Sequence, residues 1–163
     1  MPVAIYPGTF DPITFGHIDI AKRAAGIFTN VIAVIADNPG KNPLFSVQER
    51  LDMAKQAFRD VPNISVIVFR GLIASCLVEN KATAIIRGLR ALSDFEYEFQ
   101  MAFTNRNLNE DAETVFLMAS AKYTYLNSTL VKQIARFRGD VSSFVPDHVA
   151  ARLAEKFRNG NGI

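Results

Sequence analysis

The chain has 163 residues, which suits one domain spanning residues 1–163 and allows roughly 70% of the unfolded surface to be buried. A formal charge of +2 with 21% charged residues provides no broad basic field, so nucleic acid is not expected as a partner. No apolar run approaches the roughly 18 residues of a membrane span and no charged-then-apolar leader is visible, so we expect no membrane partner and a cytoplasmic location. The one cysteine, Cys76, excludes an internal disulfide and is expected to be a small buried residue.

Short β-branched runs alternate along the chain with longer stretches of helical period. This order is typical of a doubly wound α/β fold, in which helices cover both faces of a parallel five-stranded sheet. The predicted strands are nearly continuous apolar runs, so each is expected to be buried on both faces. They span residues 2–6, 30–36, 64–69, 83–86 and 114–118. Helices are predicted to begin near Gly16, Ser46, Ala74, Ser93, Asn127 and Pro146.

Three of these helix starts have a local signal. Ser46 with Glu49, and Ser93 with Glu96, both have the Ser-x-x-Glu spacing of a capping box. Pro146 suits the first position of a helix, where its missing N–H is not needed. The Asn-Gly-Asn-Gly tail at 159–162 is expected to fray.

The loop after the first strand has the features of a phosphate site. Residues 7–17 read Pro-Gly-Thr-Phe-Asp-Pro-Ile-Thr-Phe-Gly-His and run from strand into helix. Gly8 and Gly16 allow backbone to approach a ligand closely, since neither has a Cβ. The helix that follows presents free N–H groups and its positive dipole end. The sequence therefore predicts an anion at this loop.

Other basic residues are expected at the same edge of the sheet. In an open parallel sheet, ligands bind outside the carboxyl ends of the strands, where the strand order reverses. The loops after the predicted strands contain cationic side chains and a hydroxyl-rich helix start, namely His17, Lys41, Arg87, Arg90, Lys122 and residues 123–129. This combination favours a polyphosphate ligand.

Several motifs together resemble a known enzyme family. Thr14-Phe15-Gly16-His17 is similar to the T/H-x-G-H motif of the nucleotidyltransferase superfamily, and Asn127-Ser128-Thr129 to its second phosphate motif, Ile-Ser-Ser-Thr. The segment 86–90, Ile-Arg-Gly-Leu-Arg, with Asp-Phe-Glu-Tyr-Glu at 94–98, narrows the resemblance to the phosphopantetheine adenylyltransferases. Phe15 stands where this family usually has asparagine, and Asn127 where serine is common; Asn127 can still cap a helix.

The resemblance implies a Rossmann-like fold and adenylyl transfer from ATP to 4'-phosphopantetheine, giving dephospho-coenzyme A and pyrophosphate. The substrate's own phosphate would attack the α-phosphorus directly, without a covalent enzyme intermediate. Mg²⁺ is expected to accompany ATP without a dedicated set of protein ligands. Coenzyme A is expected as a feedback inhibitor, and a homohexamer as the assembly.

The resemblance also assigns roles to individual residues. His17 would stabilise the transition state, with Lys41 and Arg90 as further catalytic groups. ATP would be bound by Thr9, Phe10, His17, Gly88, Leu89, Arg90, Glu98, Tyr123, Thr124, Tyr125, Leu126, Asn127, Ser128 and Thr129. The second substrate would be bound by Thr9, Lys41, Leu72, Ile73 and Arg87.

Each assignment has a structural alternative. His17 could be a helix cap or a core residue, and Lys41 a solvated loop residue. The two arginines could form salt bridges with Asp94 or Glu96 because buried guanidinium groups need partners. Glu98 could be an inert surface residue, Ser128 a plain cap, and residues 72–73 part of the core.

Two features outside these motifs have separate interpretations. Phe95, Phe99 and Phe103 share one helix face, which indicates either core or a subunit interface. His148 lies away from every motif and is not expected to take part in catalysis.

Rival functions exist in two classes. A nicotinamide-mononucleotide adenylyltransferase or a cytidylyltransferase would share the first motif and the fold. The segments 87–90 and 95–98 argue against both, because they resemble the phosphopantetheine enzymes. A nucleotide-binding sensor without turnover is a third possibility. A binder has no need of charges placed at a reacting phosphorus.

Overall fold

The fold is built on a five-stranded sheet. The computed structural model describes residues 2–159, in which every strand pairing is parallel and the strand order is β3-β2-β1-β4-β5. The strands are β1 Val3–Gly8, β2 Asn30–Ala36, β3 Ile64–Phe69, β4 Ala84–Leu89 and β5 Glu113–Met118. The order of the strands reverses between β1 and β4, so the crevice at their carboxyl ends is the expected ligand position. The predicted doubly wound fold is confirmed.

Helices connect successive strands and cover both faces. They are α1 Phe15–Ala25, α2 Val47–Phe58, α3 Ile73–Glu79, α4 Leu92–Leu108, α5 Ser128–Arg136 and α6 Asp147–Arg158. A short 3₁₀ turn, Ala121–Tyr123, precedes α5. None of the helices in residues 2–159 is long and apolar enough to cross a membrane.

Alternating side chains of the central strands form two separate cores. Ala4 and Tyr6 of β1 belong to one apolar cluster, and Ile5 to the other. Cys76 of α3 is a fully buried, unpaired thiol in the second cluster, as expected. The expectation that every strand is buried on both faces is wrong for β3 and β5, which lie at the edges of the sheet and are only partly buried.

Two strands extend further than the sequence predicted. β1 continues through Gly8 because it pairs with β2 as far as Ile35. β4 continues through Leu89, whose partner is Met118 of β5. Arg87 and its glycine neighbour suggested a loop, but the parallel pairing continues past them. These residues are therefore held on the sheet itself.

The helix starts agree with the predictions in part. Ser46 caps α2 with the full reciprocal capping box to Glu49, and Asn127 caps α5. The predicted capping box at Ser93 and Glu96 is wrong, because α4 begins at Leu92 with Ala91 as its cap. β4 ends at Leu89 and α4 already begins at Leu92, so Ser93 lies inside the helix and is not its cap. Pro146 is the cap of α6 rather than its first residue.

The aromatic stripe of α4 lies on the outside. Phe95, Phe99 and Phe103 are 47%, 47% and 56% exposed, with ring centroids 5.5 and 4.8 Å apart along the helix. The core alternative is therefore excluded for these side chains. The predicted fraying of the tail concerns residues that, after Asn159, lie outside the described part of the chain.

Candidate active site

A cleft of about 550 Å³ opens at the carboxyl ends of β1 and β4. It brings together residues from β1, α1, the loop after β2, β4, α4 and the start of α5. Its walls include most of the predicted site residues, namely Thr9, Phe10, His17, Lys41, Arg87, Gly88, Arg90, Glu98, Tyr123, Leu126, Asn127, Ser128 and Thr129. Leu89, Thr124 and Tyr125 are not among the lining residues, and Tyr125 is 86% exposed.

His17 is both a helix cap and a wall of the cleft. The backbone N–H of Thr14 donates to Nδ1 of His17 at 3.0 Å, and the Thr14 hydroxyl accepts from the His17 N–H at 3.4 Å. This reciprocal pair has the arrangement of a capping box, with histidine in the place of glutamate. Because Nδ1 accepts a backbone proton, the proton of the neutral ring must be on Nε2.

The environment of His17 keeps its ring neutral. Burial, together with the smaller effects of the Arg90 and Arg87 charges, lowers the pKa of His17 from 6.5 to about 4. Each of these influences disfavours an imidazolium in a cleft that already contains guanidinium groups. At neutral pH His17 is therefore a hydrogen-bond donor through Nε2–H and carries no charge.

The ring of His17 is expected to stay neutral far below its ordinary pKa. The unfolded chain takes up a proton near 6.5, but the folded chain does so only near 4. The free energy of unfolding should therefore fall as the pH drops through this window, because the unfolded state binds more protons. Heteronuclear NMR of the imidazole nitrogens across the same window should show protonated Nε2 and unprotonated Nδ1 until the pH nears 4.

The NMR signals of His17 must be told apart from those of His148, since the chain has two histidines. The Nε2 of His148 lies 3.0 Å from the carbonyl oxygen of Met53, outside the cleft lining. His148→Gln assigns the two sets of signals without touching the cleft. A midpoint for His17 near 6.5 would contradict the predicted environment.

Phe10 lies in the loop between β1 and α1, and its side chain is buried. Its backbone has a left-handed φ of 49°, and its ring is buried edge-on against Tyr6 and His17, with centroids 5.5 and 5.0 Å away. A Cβ on Gly8 would lie 3.0 Å from this ring, so glycine is required for the close approach. The ring packs in the core, and only the Phe10 backbone is available to a ligand.

Lys41 comes from the loop that follows β2. Its ammonium Nζ lies 3.2 Å from the hydroxyl oxygen of Thr9, across the mouth of the cleft. Two residues predicted to bind the second substrate are thus in direct contact. Lys122, in contrast, lies 5.6 Å from the ring centroid of Tyr123 and is not part of the cleft lining.

Arg87 projects from β4 and forms a bidentate ion pair with Glu98 of α4. Nε and Nη2 donate to the two carboxylate oxygens at 2.7 and 2.6 Å, and Nη1 donates to the Pro7 carbonyl at 2.8 Å. Burial by itself lowers the pKa of Arg87, but the Glu98 carboxylate outweighs it and raises the pKa. Glu98, assigned to the nucleotide by resemblance, has its buried carboxylate on this arginine. The arrangement fixes the orientation of the guanidinium.

Arg90 also lines the cleft, where it contacts α4 and the residue before Asn127. Its Nε is 3.2 Å from the Asp94 carboxylate, and its Nη1 donates to the Leu126 carbonyl at 3.2 Å. The alternative of a salt bridge to Asp94 is therefore realised, at a partly exposed position beside the cleft. Arg90 also connects β4 with the start of α5. Gly88, which lies between the two arginines in sequence, also lines the cleft.

The start of α5 forms another part of the cleft wall. The Asn127 side chain accepts from the Leu130 N–H at 2.8 Å, and the Ser128 hydroxyl donates to the Pro12 carbonyl at 2.8 Å. Ser128 is thus not the cap of this helix. The helix presents its positive dipole end and its first N–H groups where the cleft ends.

Sequence reasoning missed an ion pair in the same wall. Lys132 of α5 donates to the buried Asp11 carboxylate at 2.8 Å and lines the cleft. The same carboxylate accepts from the N–H groups of Leu44 and Phe45 at 3.0 and 2.9 Å. The sequence signal that could have found Lys132 is its spacing, because residues four apart on a helix share one face and Lys132 follows Ser128 by four.

A second cavity of about 550 Å³ adjoins the cleft. The two share the residues at their junction, namely Pro7, Gly8, Thr9, Lys41, Arg87 and Glu98. Ile73 lies in its wall, but Leu72 is 59% exposed and is not a lining residue. Its wall also includes Thr114, whose buried hydroxyl oxygen has no hydrogen-bond partner within residues 2–159.

Among residues 2–159, no group of three or more His, Cys, Asp or Glu side chains could hold a metal ion.

Comparison with known proteins identifies the family. The profile of the cytidylyltransferase-like family matches residues 5–134. The phosphopantetheine adenylyltransferase of Caldanaerobacter subterraneus subsp. tengcongensis is 56% identical, covering 97% of this chain and 99% of that protein. The chain belongs to the phosphopantetheine adenylyltransferase family. Proteins of the same name from Dictyoglomus turgidum and Methylococcus capsulatus are 52% and 51% identical, over 95% and 94% of this chain and 97% and 95% of theirs.

The resemblance to phosphopantetheine adenylyltransferases is thus confirmed. Of the two departures from the family pattern, Phe15 begins α1, and its ring lies 6.4 Å from that of Tyr123. Its N–H donates to the Phe144 carbonyl at 2.8 Å, so this position supports packing between the α1 start and the segment before α6. Asn127 retains the capping function at α5.

Proposed function

We propose that the chain transfers the adenylyl group of ATP to 4'-phosphopantetheine, giving dephospho-coenzyme A and pyrophosphate. The observation that carries this proposal is the pair of adjoining cavities with basic residues at their junction. Such a layout suits two anionic substrates that must meet end to end. The first cavity, with the α5 start and Arg90, would take ATP. The second, more extended toward α3 and α4, would take the pantetheine arm.

The junction is where repulsion between the substrates must be overcome. Two unit charges about 4 Å apart repel by about 4 kcal/mol at an effective dielectric constant of about 20. Lys41 and Arg87 both line the shared region. The Lys41 ammonium can offset this repulsion, whereas the Arg87 charge is balanced by Glu98 and its guanidinium would contribute N–H donors to a phosphate. The phosphate of 4'-phosphopantetheine would then attack the α-phosphorus in line with the departing pyrophosphate. Positioning and charge stabilisation suffice, so no covalent intermediate is required.

His17 would act on the charge that grows at the α-phosphate in the transition state. A neutral ring with its proton on Nε2 can donate one directed hydrogen bond from the first turn of α1. The second ring nitrogen is held by the Thr14 N–H, so the donor cannot rotate away without breaking the cap. A fixed donor aimed at developing charge needs no reorganisation during the reaction.

The pantetheine arm would lie in the second cavity, whose wall combines apolar side chains with polar and charged ones. Ile73 and the unpartnered Thr114 hydroxyl are in that wall. A buried hydroxyl without a partner costs free energy in the free protein. An amide of the arm would relieve that cost, which supports a polar ligand in this cavity.

Magnesium, inhibition, assembly and location belong to the same proposal. Mg²⁺ would enter on the phosphates of ATP, since the carboxylates of Asp11 and Glu98 are engaged by Lys132 and Arg87. Coenzyme A, close to the product, would occupy the same cleft and inhibit. The assembly would be a homohexamer, as the family resemblance implies, and subunit contacts would cover the exposed aromatic stripe of α4. We place the reaction in the cytoplasm.

A substrate panel tests the reaction. The purified protein with ATP, Mg²⁺ and 4'-phosphopantetheine is expected to release pyrophosphate. Nicotinamide mononucleotide in place of the acceptor, or CTP in place of ATP, should support little release. A clear preference for nicotinamide mononucleotide would favour the other adenylyltransferase activity. ATP binding without turnover of any acceptor would favour a nucleotide sensor.

A further inference from the structure

Arg50 is a buried arginine outside the cleft, and in the described part of the chain its side chain donates to backbone carbonyls only. It lies in the first turns of α2 and is 3% exposed. Its Nη1 donates to the carbonyls of Thr9 at 2.8 Å and Ala36 at 3.0 Å, and its Nε donates to that of Phe45 at 3.2 Å. Arg50 does not line the cleft.

The way in which the Arg50 charge is compensated is unusual for a buried arginine. Within residues 2–159 no carboxylate forms a salt bridge with Arg50, although buried arginines are rarely left without an acidic partner. An apolar side chain would fill the space without the cost of desolvating a charge. Three carbonyls from three segments can be reached at once only by a rigid, forked group such as guanidinium.

The three segments are those that place Thr9 and Lys41. Thr9 follows β1, Ala36 ends β2, and Phe45 precedes the cap of α2. Both ends of the segment 37–45, which carries Lys41, are therefore attached to one side chain. The same side chain holds the backbone of Thr9, whose hydroxyl contacts the Lys41 ammonium.

A second contact strengthens only one end of that segment. The Asp11 carboxylate accepts from the N–H groups of Leu44 and Phe45. The other end, at Ala36, is held on the sheet by pairing with Phe69 of β3 and by the Asp37 N–H, which donates to the Phe69 carbonyl. Of the Arg50 and Asp11 side chains, only Arg50 connects this end with the backbone of Thr9. The sheet therefore sets where the segments begin, and the guanidinium fork adds the side-chain contacts that fix Thr9 relative to both ends of the segment carrying Lys41.

We propose that Arg50 is a positioning residue for adenylyl transfer, which sets where the Lys41 ammonium lies at the junction of the two cavities. This inference rests on the proposed function for its kinetic consequence. Its structural consequence, the alignment of Thr9 with Lys41, does not depend on which substrates are used.

A double-mutant cycle between Arg50 and Lys41 is the test. Arg50→Lys keeps the charge and loses the fork, so kcat/KM for 4'-phosphopantetheine should fall about 30-fold in the wild-type background, as for the loss of two hydrogen bonds. In a Lys41→Ala background the same change should cost less than about 3-fold, because the group that Arg50 positions is already absent. An equal loss in both backgrounds would overturn the proposal.

Arg59→Lys is the matched control. Arg59 caps the carboxyl end of the same helix, with a side chain that is 70% exposed and paired with Asp60. It should leave kcat/KM within about 2-fold in either background, since exposed pairs contribute little. Urea unfolding of each variant separates a loss of stability from a loss of alignment.

A readout independent of activity separates this proposal from the proposed function. In Arg50→Lys the amide signals of Thr9 and Lys41 should shift, whereas those of Asn127 and Ser128 across the cleft should not. Unchanged signals at Thr9 and Lys41 would overturn the proposal even if the enzyme is active as expected. If Arg50→Lys does not fold, Arg50→Gln, which leaves no buried charge, is measured by the same criteria.

Discussion

Replacing His17 by alanine lowers kcat by about 10²-fold to 10³-fold and changes the KM for ATP by less than about 10-fold. The reason is that the Nε2–H donor acts on charge that is present mainly in the transition state. Steady-state kinetics of pyrophosphate release, with both substrates varied, measure the two effects separately. His17→Gln, which retains a terminal N–H donor, should recover part of kcat.

The kinetic experiment needs a control, because His17 also takes part in the cap of α1. His17→Ala also removes the acceptor of the Thr14 N–H, a loss that typically costs about 1 kcal/mol of stability. Glu49→Ala removes the corresponding acceptor of the Ser46 N–H at the start of α2. Glu49→Ala should lower the urea midpoint but leave kcat nearly unchanged. Equal losses of ATP binding and turnover in His17→Ala would instead identify a ground-state contact.

Arg87→Met should raise the KM for 4'-phosphopantetheine by about 30-fold to 100-fold, as for the loss of a charge-assisted hydrogen bond. The KM for ATP should stay within about 3-fold. The same variant leaves the Glu98 carboxylate buried without its cation, and should lower the free energy of unfolding by about 2 to 4 kcal/mol. Kinetics and urea unfolding measure these two losses.

The double variant Arg87→Met with Glu98→Met separates the two consequences. Replacing both members of a buried ion pair by apolar side chains is often neutral for stability. Most of the unfolding free energy should therefore return, whereas the KM for 4'-phosphopantetheine should remain high. Recovery of both would mean that Arg87 serves only as the partner of Glu98. A main effect of Glu98→Met alone on the KM for ATP would support the nucleotide role that resemblance assigns to that carboxylate.

Much of the fold could be predicted from the sequence because its signals are local. Apolar runs identify five strands, and the cap residues Ser46 and Asn127 mark the starts of two helices. The loop at 7–17 predicts the cleft because strand, glycines and helix follow one another directly. The family resemblance depends on residue types at fixed spacing, which the chain displays without any knowledge of contacts.

The errors in the predictions occur where a neighbouring segment decides the structure. β4 continues to Leu89 because it pairs with β5 along its length, and α4 begins at Leu92, before Ser93. The aromatic stripe could not be assigned to core or surface, because helical spacing does not say what the face meets. It is exposed in this chain.

The sequence by itself determined the order of strands and helices, the glycine-containing loop between β1 and α1 and the set of basic residues, since these depend on neighbours along the chain. Only the tertiary structure decided how the charges are paired. Glu98 lies on Arg87, and Lys132 reaches Asp11 across 121 residues of sequence. Arg50 likewise gathers carbonyls from separate segments. Such partners are chosen by proximity in the folded chain, because a buried charge must be satisfied by whatever polar groups packing brings within reach.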